Sequence, residues 1–210
     1  MDDASQNRPQ RPEKDVRALC ERGDHAGAAT LALRAYGPEL FGFLVAMHRS
    51  EAEAGESFSE LAEVLWRKLP AFAWQSTLRT WAYAIARNVL RTHRRAARRR
   101  ARRIGSASSS VIEAIAARVR TETQAYLRTE KRTRLQALRD SLEEEDRMLL
   151  VLRVDRRLDW NELARVLGEA GHDACVDPVS LARESARLRK RFQLVKNKLR
   201  ELARREGLLD

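Results

Sequence analysis

Residues 76–89 read S-T-L-R-T-W-A-Y-A-I-A-R-N-V, and the apolar side chains of this stretch share one helical face. They stand three or four positions apart: Leu78, Trp81, Ile85 and Val89. Two earlier stretches show the same spacing. Their apolar residues are Leu40, Phe43, Leu44 and Met47 in the first, and Phe58, Leu61, Leu65 and Leu69 in the second. Three such faces in succession predict three helices that bury one compact core.

Glycine, proline and serine mark the ends of the predicted helices in this first domain. The interruptions fall at Gly23-Asp24, Gly37-Pro38, around Ser50 and from Pro70 to Gln75, and they predict four or five helices. Residues 1–12 are polar and contain proline, so we expect a disordered tail before the domain. The first domain is therefore predicted to cover residues 13–95.

A basic linker is predicted next, over residues 96–132. The run from Arg94 to Arg103 is almost entirely arginine and alanine, and the stretch from Gly105 to Ser110 has the composition of a flexible connection. An arginine run of this kind is typical of a solvated helix end. It is also suited to contacts with DNA phosphates, and the sequence leaves both interpretations open.

The second domain is predicted over residues 133–210 and is also helical. Its apolar residues again share helical faces: Leu135, Leu138 and Leu142, then Met148, Leu149 and Leu152. Asp159 and Glu162 form a D-x-x-E capping box for a helix that ends at Gly168, and Asp177-Pro178 starts another helix. The chain is therefore predicted to be all-α, with two small helical domains.

A long helix closes the second domain. One seam runs along it: Leu181, Ser185, Leu188, Phe192, Val195, Leu199 and Leu202. The seam is short for an independent coiled coil and contains a serine, so packing within the domain is favoured. Because the outer face of this helix is strongly basic, the last two helices suggest a helix-turn-helix that binds DNA.

Charge and composition favour a nucleic-acid partner. The 210 residues include 41 Lys+Arg and 30 Asp+Glu, which gives a formal net charge of +11. A basic excess of this kind attracts polyanions. No apolar run approaches the length of a membrane span, and the N-terminus is polar where a signal peptide would be apolar. We therefore expect a cytoplasmic protein without a membrane partner.

The sequence does not favour an enzyme or a metal site. Cys20 and Cys175 are far apart in the chain and form no C-x-x-C pair. The histidines are scattered without metal-ligand spacing: His25, His48, His93 and His172. The P-loop, dinucleotide-binding and nucleophile-elbow motifs are missing from the sequence. We expect no enzymatic activity, no metal and no cofactor.

Two polar helix faces of the first domain are candidate binding surfaces. An acidic face lies opposite an apolar stripe: Glu56, Ser59, Glu60 and Glu63. Such a face is either a solvated surface or a docking site for a basic protein. On the next helix, a basic face includes one aromatic residue: Arg79, Tyr83, Arg87, Arg91 and Arg94. Guanidinium groups next to a ring suit single-stranded nucleic acid.

The loop before that helix is a candidate pocket for an unstacked base. It carries aromatic rings and short hydrogen-bonding groups: Phe72, Trp74, Gln75, Ser76 and Thr77. The alternative is that Phe72 and Trp74 staple the start of the helix, with Ser76 as its N-cap. We favour the staple for Phe72 and base capture for Trp74 and Gln75.

Three stretches of the first domain resemble sigma region two of extracytoplasmic-function sigma factors, which belong to the sigma-70 family. They are Y-G-P-E-L-F-G-F-L (Tyr36 to Leu44), E-L-A-E-V-L-W-R-K-L-P-A-F (Glu60 to Phe72) and S-T-L-R-T-W-A-Y-A-I-A-R-N-V (Ser76 to Val89). The second domain is similar to sigma region four in L-E-E-E-D-R-M-L-L-V-L-R (Leu142 to Arg153), L-D-W-N-E-L-A-R-V-L-G (Leu158 to Gly168) and R-L-R-K-R-F-Q-L-V-K-N-K-L-R-E-L (Arg187 to Leu202).

This resemblance implies a role in transcription initiation with core RNA polymerase and promoter DNA as partners. The acidic face would dock on the clamp helices of the largest polymerase subunit, and region four would lie at the flap of the second largest. Residues 73–77 would hold a flipped base of the minus-ten element, with further contacts from Arg79, Trp81, Tyr83 and Arg87. The minus-thirty-five element would meet Arg183, Arg187, Lys190 and Arg191. An anti-sigma factor is a further partner that the resemblance allows.

Two departures from the family pattern affect these expectations. Ser57 and Ser59 stand where family members usually carry an acidic residue and a glutamine. The chain also inserts Glu169 to about Leu181 between the helices of the predicted helix-turn-helix, where a tight turn normally sets the docking angle. Two other functions stay open: a helix-turn-helix regulator that binds DNA without polymerase, and a degenerate sigma-like adaptor that occupies polymerase without initiating transcription.

Overall fold

The computed structural model describes residues 10–48, 50–100, 134–168 and 177–208. Most of the predicted tail, most of the predicted linker and residues 169–176 of the predicted insertion lie outside these ranges. Every regular element within them is a helix, which confirms the all-α prediction. The chain divides into two compact units, Met1–Ala125 and Tyr126–Asp210. The narrower domain limits of 13–95 and 133–210 stay predictions.

The described part of the first unit contains four α-helices. They are α1 (Gln10–Glu21), α2 (His25–His48), α3 (Glu51–Lys68) and α4 (Leu78–Arg100), with a 3-10 turn at Leu69–Ala71 after α3. Helix α1 begins inside the predicted tail, and α4 continues past the predicted domain end at residue 95. All members of the three predicted apolar stripes on α2, α3 and α4 are buried, so that prediction is confirmed.

The predicted break at Gly37-Pro38 is wrong, because α2 runs through both residues. A proline inside a helix removes one backbone hydrogen bond and costs about 3 kcal/mol. Here Tyr36, Gly37 and Leu40 are buried around the exposed Pro38. Packing of α2 against α1 and α3 therefore stabilises a helix that local propensity alone would interrupt.

The second unit is built on its C-terminal helix. Its elements are α5 (Arg134–Asp140), α6 (Glu144–Leu150), a π-helical turn (Val151–Asp155), α7 (Trp160–Leu167) and α8 (Pro178–Arg205). Helix α8 packs against α5, α6 and α7, and Leu188 and Val195 of the predicted seam are buried there. The seam therefore packs within its own unit, as the sequence predicts.

The predicted helix ends of the second unit are confirmed. The Asp159 carboxylate accepts hydrogen bonds from the backbone of α7 while Glu162 bonds back to Asp159, which completes the capping box. Asp177 caps α8 in the same way. Gly168 ends α7 with a φ of −66°, so the backbone at this position does not adopt the left-handed conformation that favours glycine. A Cβ at this position would lie 2.5 Å from the carbonyl oxygen of Ala164, and this close approach explains the glycine.

Candidate protein and nucleic-acid interface

The acidic face lies on α3, a helix whose first turn is capped. The Ser50 hydroxyl caps the helix by accepting from Glu53 N–H. Glu56 is exposed and Glu63 is half-buried, with Arg67 3.7 Å from its carboxylate one turn on. Ser59 donates its hydroxyl hydrogen bond to Gly55 O at 3.2 Å. The predicted residues thus share a face, and Glu56 and Glu63 are its most accessible carboxylates.

Glu60 differs from its neighbours because it is held by α4. Its carboxylate lies 2.7 Å from Nε2 of His93. A second histidine, His48 at the end of α2, has its ring centre 6.1 Å from that of His93 and its Nε2 2.7 Å from Ser57 Oγ. Ser57, one of the two serines that depart from the family pattern, is fully buried. It therefore lies in the interface between α2 and α3 and not on the acidic face. Among the described residues, no cluster of His, Cys, Asp and Glu could hold a metal ion.

The loop before α4 contains one aromatic residue that packs against the helix and several residues that are exposed. Phe72 stacks on Trp81, with ring centres 4.6 Å apart and planes at 26°, which confirms the predicted staple. Gln75 and Thr77 are exposed. The N-cap of α4 is Thr77 rather than Ser76, because Thr77 Oγ1 accepts from Thr80 N–H at 3.1 Å.

Trp74 is the most unusual residue of this loop. Its φ of +56° lies in the left-handed region, which costs a side chain of this size about 1–2 kcal/mol. The ring is half-buried, 4.9 Å from the Phe72 ring centre. On it lies Arg17 of α1, whose guanidinium carbon is 5.5 Å from the ring centre. Strained residues that neighbouring contacts hold in place occur often at binding sites.

Only part of the basic face predicted on α4 is exposed to solvent. Tyr83 is fully buried, with its ring 5.5 Å from that of Phe43 in an edge-to-face arrangement, so the prediction that it points away from the core is wrong. Trp81 is also buried, as its spacing predicted. Both α2 and α3 contact α4. Arg87 is half-buried and Arg91 is exposed.

Arg79 belongs to a polar network that joins three helices. Its Nε and Nη2 donate to the two carboxylate oxygens of Glu39 at 2.8 and 2.9 Å, and its guanidinium carbon lies 5.3 Å from the ring centre of Tyr83. Burial, followed by the charges of Glu13 and Glu39, raises the pKa of the Tyr36 phenol to about 12. The same Glu13 accepts from Leu78 N–H, at the start of α4, at 3.2 Å.

In the second unit, the four residues that were predicted to contact DNA do not share one exposed face. Arg183, Arg187 and Lys190 are exposed on α8, although Arg187 also pairs with Glu184 at 2.6 Å. Arg191 faces α6, where its Nε and Nη1 donate to Asp146 at 2.7 Å and Glu145 at 2.6 Å. Arg191 is therefore turned towards the acidic start of α6, whereas the other three are exposed.

Side-chain contacts hold α7 and α8 together. Ser185 of the seam is buried, and its hydroxyl oxygen lies 3.0 Å from Trp160 O and 3.0 Å from Asn161 Oδ1. The Trp160 ring meets Phe192 edge to face at 5.7 Å, and Arg189 lies 5.7 Å from its centre. The angle between these helices therefore has support that does not depend on a tight turn.

Sequence reasoning missed the contributions of α1 and of the histidines. Glu13 and Arg17 belong to a helix with no recognised motif, and His93 was classed with the scattered histidines. A weak signal was available in the four-residue spacing of Glu13 and Arg17, which places them on one helix face.

Within the described ranges, no helix has the length and apolar character that a membrane span requires.

Comparison with known proteins bears on the first unit. Residues 32–100 match the family model of sigma-70 region 2. This segment runs from within α2 through α3 and the loop to the end of α4, and it therefore includes the acidic face and Trp74. A search of curated proteins found no match to the chain. The similarity therefore concerns the first unit, and it is a similarity to sigma-70 region 2.

Proposed function

We propose that this chain, with sigma-70 region 2 at residues 32–100, is an extracytoplasmic-function sigma factor that directs core RNA polymerase to promoters and assists their melting. The observation that carries the proposal is the arrangement within region 2. An acidic helix face and an accessible, strained aromatic loop lie on consecutive elements of one domain. A regulator that bound only duplex DNA would need neither.

The acidic face of α3 is proposed to dock on the clamp helices of the largest polymerase subunit. Glu56 and Glu63 carry its accessible negative charge, and Ser59 lies between them. Glu60 adds a carboxylate whose position is set by His93. Opposite charges across an interface favour encounter and orientation, and reversing the charges of one partner costs several kcal/mol.

The loop and α4 are proposed to take up the non-template strand of the minus-ten element. Trp74 offers a ring for stacking, and Gln75, Ser76 and Thr77 offer polar groups for a base edge. Arg87 and Arg91 supply positive charge farther along α4. Since Arg79 already binds Glu39 at two points and Trp81 and Tyr83 are buried, these three residues support the surface from beneath.

The second unit is proposed to act as sigma region four at the flap of the second-largest polymerase subunit and at the minus-thirty-five element. Arg183, Arg187 and Lys190 form an exposed basic face along the first half of α8. Residues of this kind contact phosphates and base edges when a helix lies in the major groove. The contacts of Trp160 and Ser185 that hold α7 against α8 favour this assignment despite the insertion at residues 169–181.

The deciding experiment mixes the purified chain with core polymerase and maps transcription starts on a promoter library. We expect specific starts from the wild type and none from the Glu56→Arg/Glu63→Arg variant, which should also fail to copurify with polymerase. Glu60 is left in place so that its bond to His93 survives. The matched control is Asp15→Arg/Glu51→Arg, which changes the net charge equally at other exposed positions.

The outcomes separate the three candidate functions. Polymerase binding without specific starts would indicate the sigma-like adaptor. Binding to duplex DNA with no binding to polymerase would indicate the helix-turn-helix regulator. Loss of copurification in the control variant as well would show that charge alone, and not the acidic face of α3, governs polymerase binding.

A further inference from the structure

Helix α1 contacts the candidate base-capture loop at one point and the start of α4 at another, although it precedes the matched segment 32–100. Glu13 accepts a hydrogen bond from Leu78 N–H at 3.2 Å. Arg17 lies over the Trp74 ring, with its guanidinium carbon 5.5 Å from the ring centre. Because the two residues are four positions apart on a helix, they lie on the same face of α1.

The contact at Arg17 concerns the one strained residue of the loop. Trp74 has φ +56°, and a bulky side chain keeps such a conformation only when its surroundings hold it there. Phe72 lies against the ring at 4.9 Å and is itself stacked on buried Trp81. Arg17 adds a cation on the Trp74 ring, which is an attractive arrangement for an aromatic face.

Glu13 contacts the N-terminal end of α4, where the loop ends and the helix begins. The first backbone N–H groups of a helix have no partner within the helix. Thr77 satisfies Thr80 N–H, and Glu13 satisfies Leu78 N–H from outside the helix. A carboxylate at this position also interacts favourably with the positive end of the helix dipole.

We propose that Glu13 and Arg17 are positioning residues of the base-capture loop, which hold Trp74 in the orientation that receives an unstacked base. This inference rests on the proposed function of the loop in promoter melting. It extends the site beyond the matched region 2 segment to the N-terminal helix. Arg17 acts through Trp74, and Glu13 acts through the start of α4.

The test measures promoter opening by holoenzyme assembled from core polymerase and each variant. A promoter that carries 2-aminopurine at the flipped position of the minus-ten element reports unstacking as a rise in fluorescence. We expect Arg17→Ala to lower the opening rate about two- to fivefold, which is the size of effect for one exposed cation–ring contact. Closed-complex affinity should stay within about twofold, since phosphate contacts from other residues govern it.

Three further variants show whether Arg17 acts through Trp74. Arg22→Ala removes the same charge from an exposed position just beyond α1 and should open promoters at the wild-type rate. Arg17→Lys keeps a cation near the ring and should recover part of the loss. In a Trp74→Ala background, Arg17→Ala should cause no additional loss, because the partner ring is gone.

A measurement on the free protein separates this inference from the proposed function. Arg17→Ala should increase acrylamide quenching of tryptophan fluorescence, and the increase should vanish in a Trp74→Phe background. Opening by Arg17→Ala at or above the wild-type rate would overturn the inference, and a faster rate would mean that α1 covers the loop. If quenching changes as expected but wild-type holoenzyme opens no promoter, the contact is real and both the proposed function and the positioning role are wrong.

Discussion

The ion pair between Arg79 and Glu39 offers the sharpest test of how α4 is used. If Arg79 were held ready for DNA, its removal would leave stability nearly unchanged. Instead its guanidinium makes two hydrogen bonds to the carboxylate, at 2.8 and 2.9 Å. The side chains are only 16% and 26% exposed. We therefore expect Arg79→Ala to destabilise the first unit.

The magnitude follows from this partial burial. Exposed ion pairs contribute about 0–1 kcal/mol, whereas removing one partner of a fully buried pair costs about 3–5 kcal/mol. A bidentate pair with these exposures lies between the two limits, at about 2 kcal/mol. Loss of the contact between Arg79 and the Tyr83 ring adds to the cost, by about 0.5–1 kcal/mol.

A double-mutant cycle measures the interaction itself. Arg79→Ala, Glu39→Ala and the double variant are unfolded in urea in a Trp160→Phe background, so that fluorescence reports the tryptophans of the first unit. We expect the two losses to be non-additive by about 1–2 kcal/mol. Arg91→Ala, at an exposed position on the same helix, should change stability by less than about 0.5 kcal/mol. Additivity within about 0.3 kcal/mol would show that Arg79 and Glu39 do not stabilise each other, and it would return Arg79 to the DNA-binding surface.

Two further predictions concern other parts of the fold. Tyr36 should titrate near pH 12 rather than at its ordinary value of 10.0, as the difference in tyrosinate absorbance between wild type and Tyr36→Phe would show. Because the native pKa is raised, the contribution of the neutral phenol is complete below pH 10 and is lost as the pH rises towards 12, so the free energy of unfolding should fall over that range. Gly168→Ala should destabilise the second unit by about 1–3 kcal/mol, because the added Cβ would lie 2.5 Å from Ala164 O. Thermal unfolding followed by circular dichroism checks this, and an unchanged midpoint would contradict the close approach as the reason for the glycine.

Much of the fold could be predicted because the signals for it are local. The apolar stripes of α2, α3 and α4 depend only on spacing within each helix, and all of their members are buried. The capping box at Asp159 and the start of α8 at Asp177 involve residues two or three positions apart. Patterns of this length are visible in the sequence because the partners share one helical turn.

The candidate site was predicted less completely than the fold. The face formed by Glu56, Ser59, Glu60 and Glu63 follows from helical spacing, and so does its position opposite the apolar stripe. Spacing also placed Tyr83 on a basic outer face, but Tyr83 is buried. The apolar stripe marks one buried face of α4, whereas Tyr83 lies outside that stripe and packs against Phe43 of α2.

Residue spacing and composition are sufficient to predict the helical class, the main apolar faces, the caps of the second unit and the charge that favours DNA. Which charges remain available to a partner depends on how the helices pack. Arg79 is bound by a residue 40 positions away, Arg191 by residues 45 and 46 positions away, and Leu78 N–H by Glu13 across 65 positions. The physical reason is that a helical pattern has a period of a few residues, whereas an ion pair depends on which faces meet after the chain has packed.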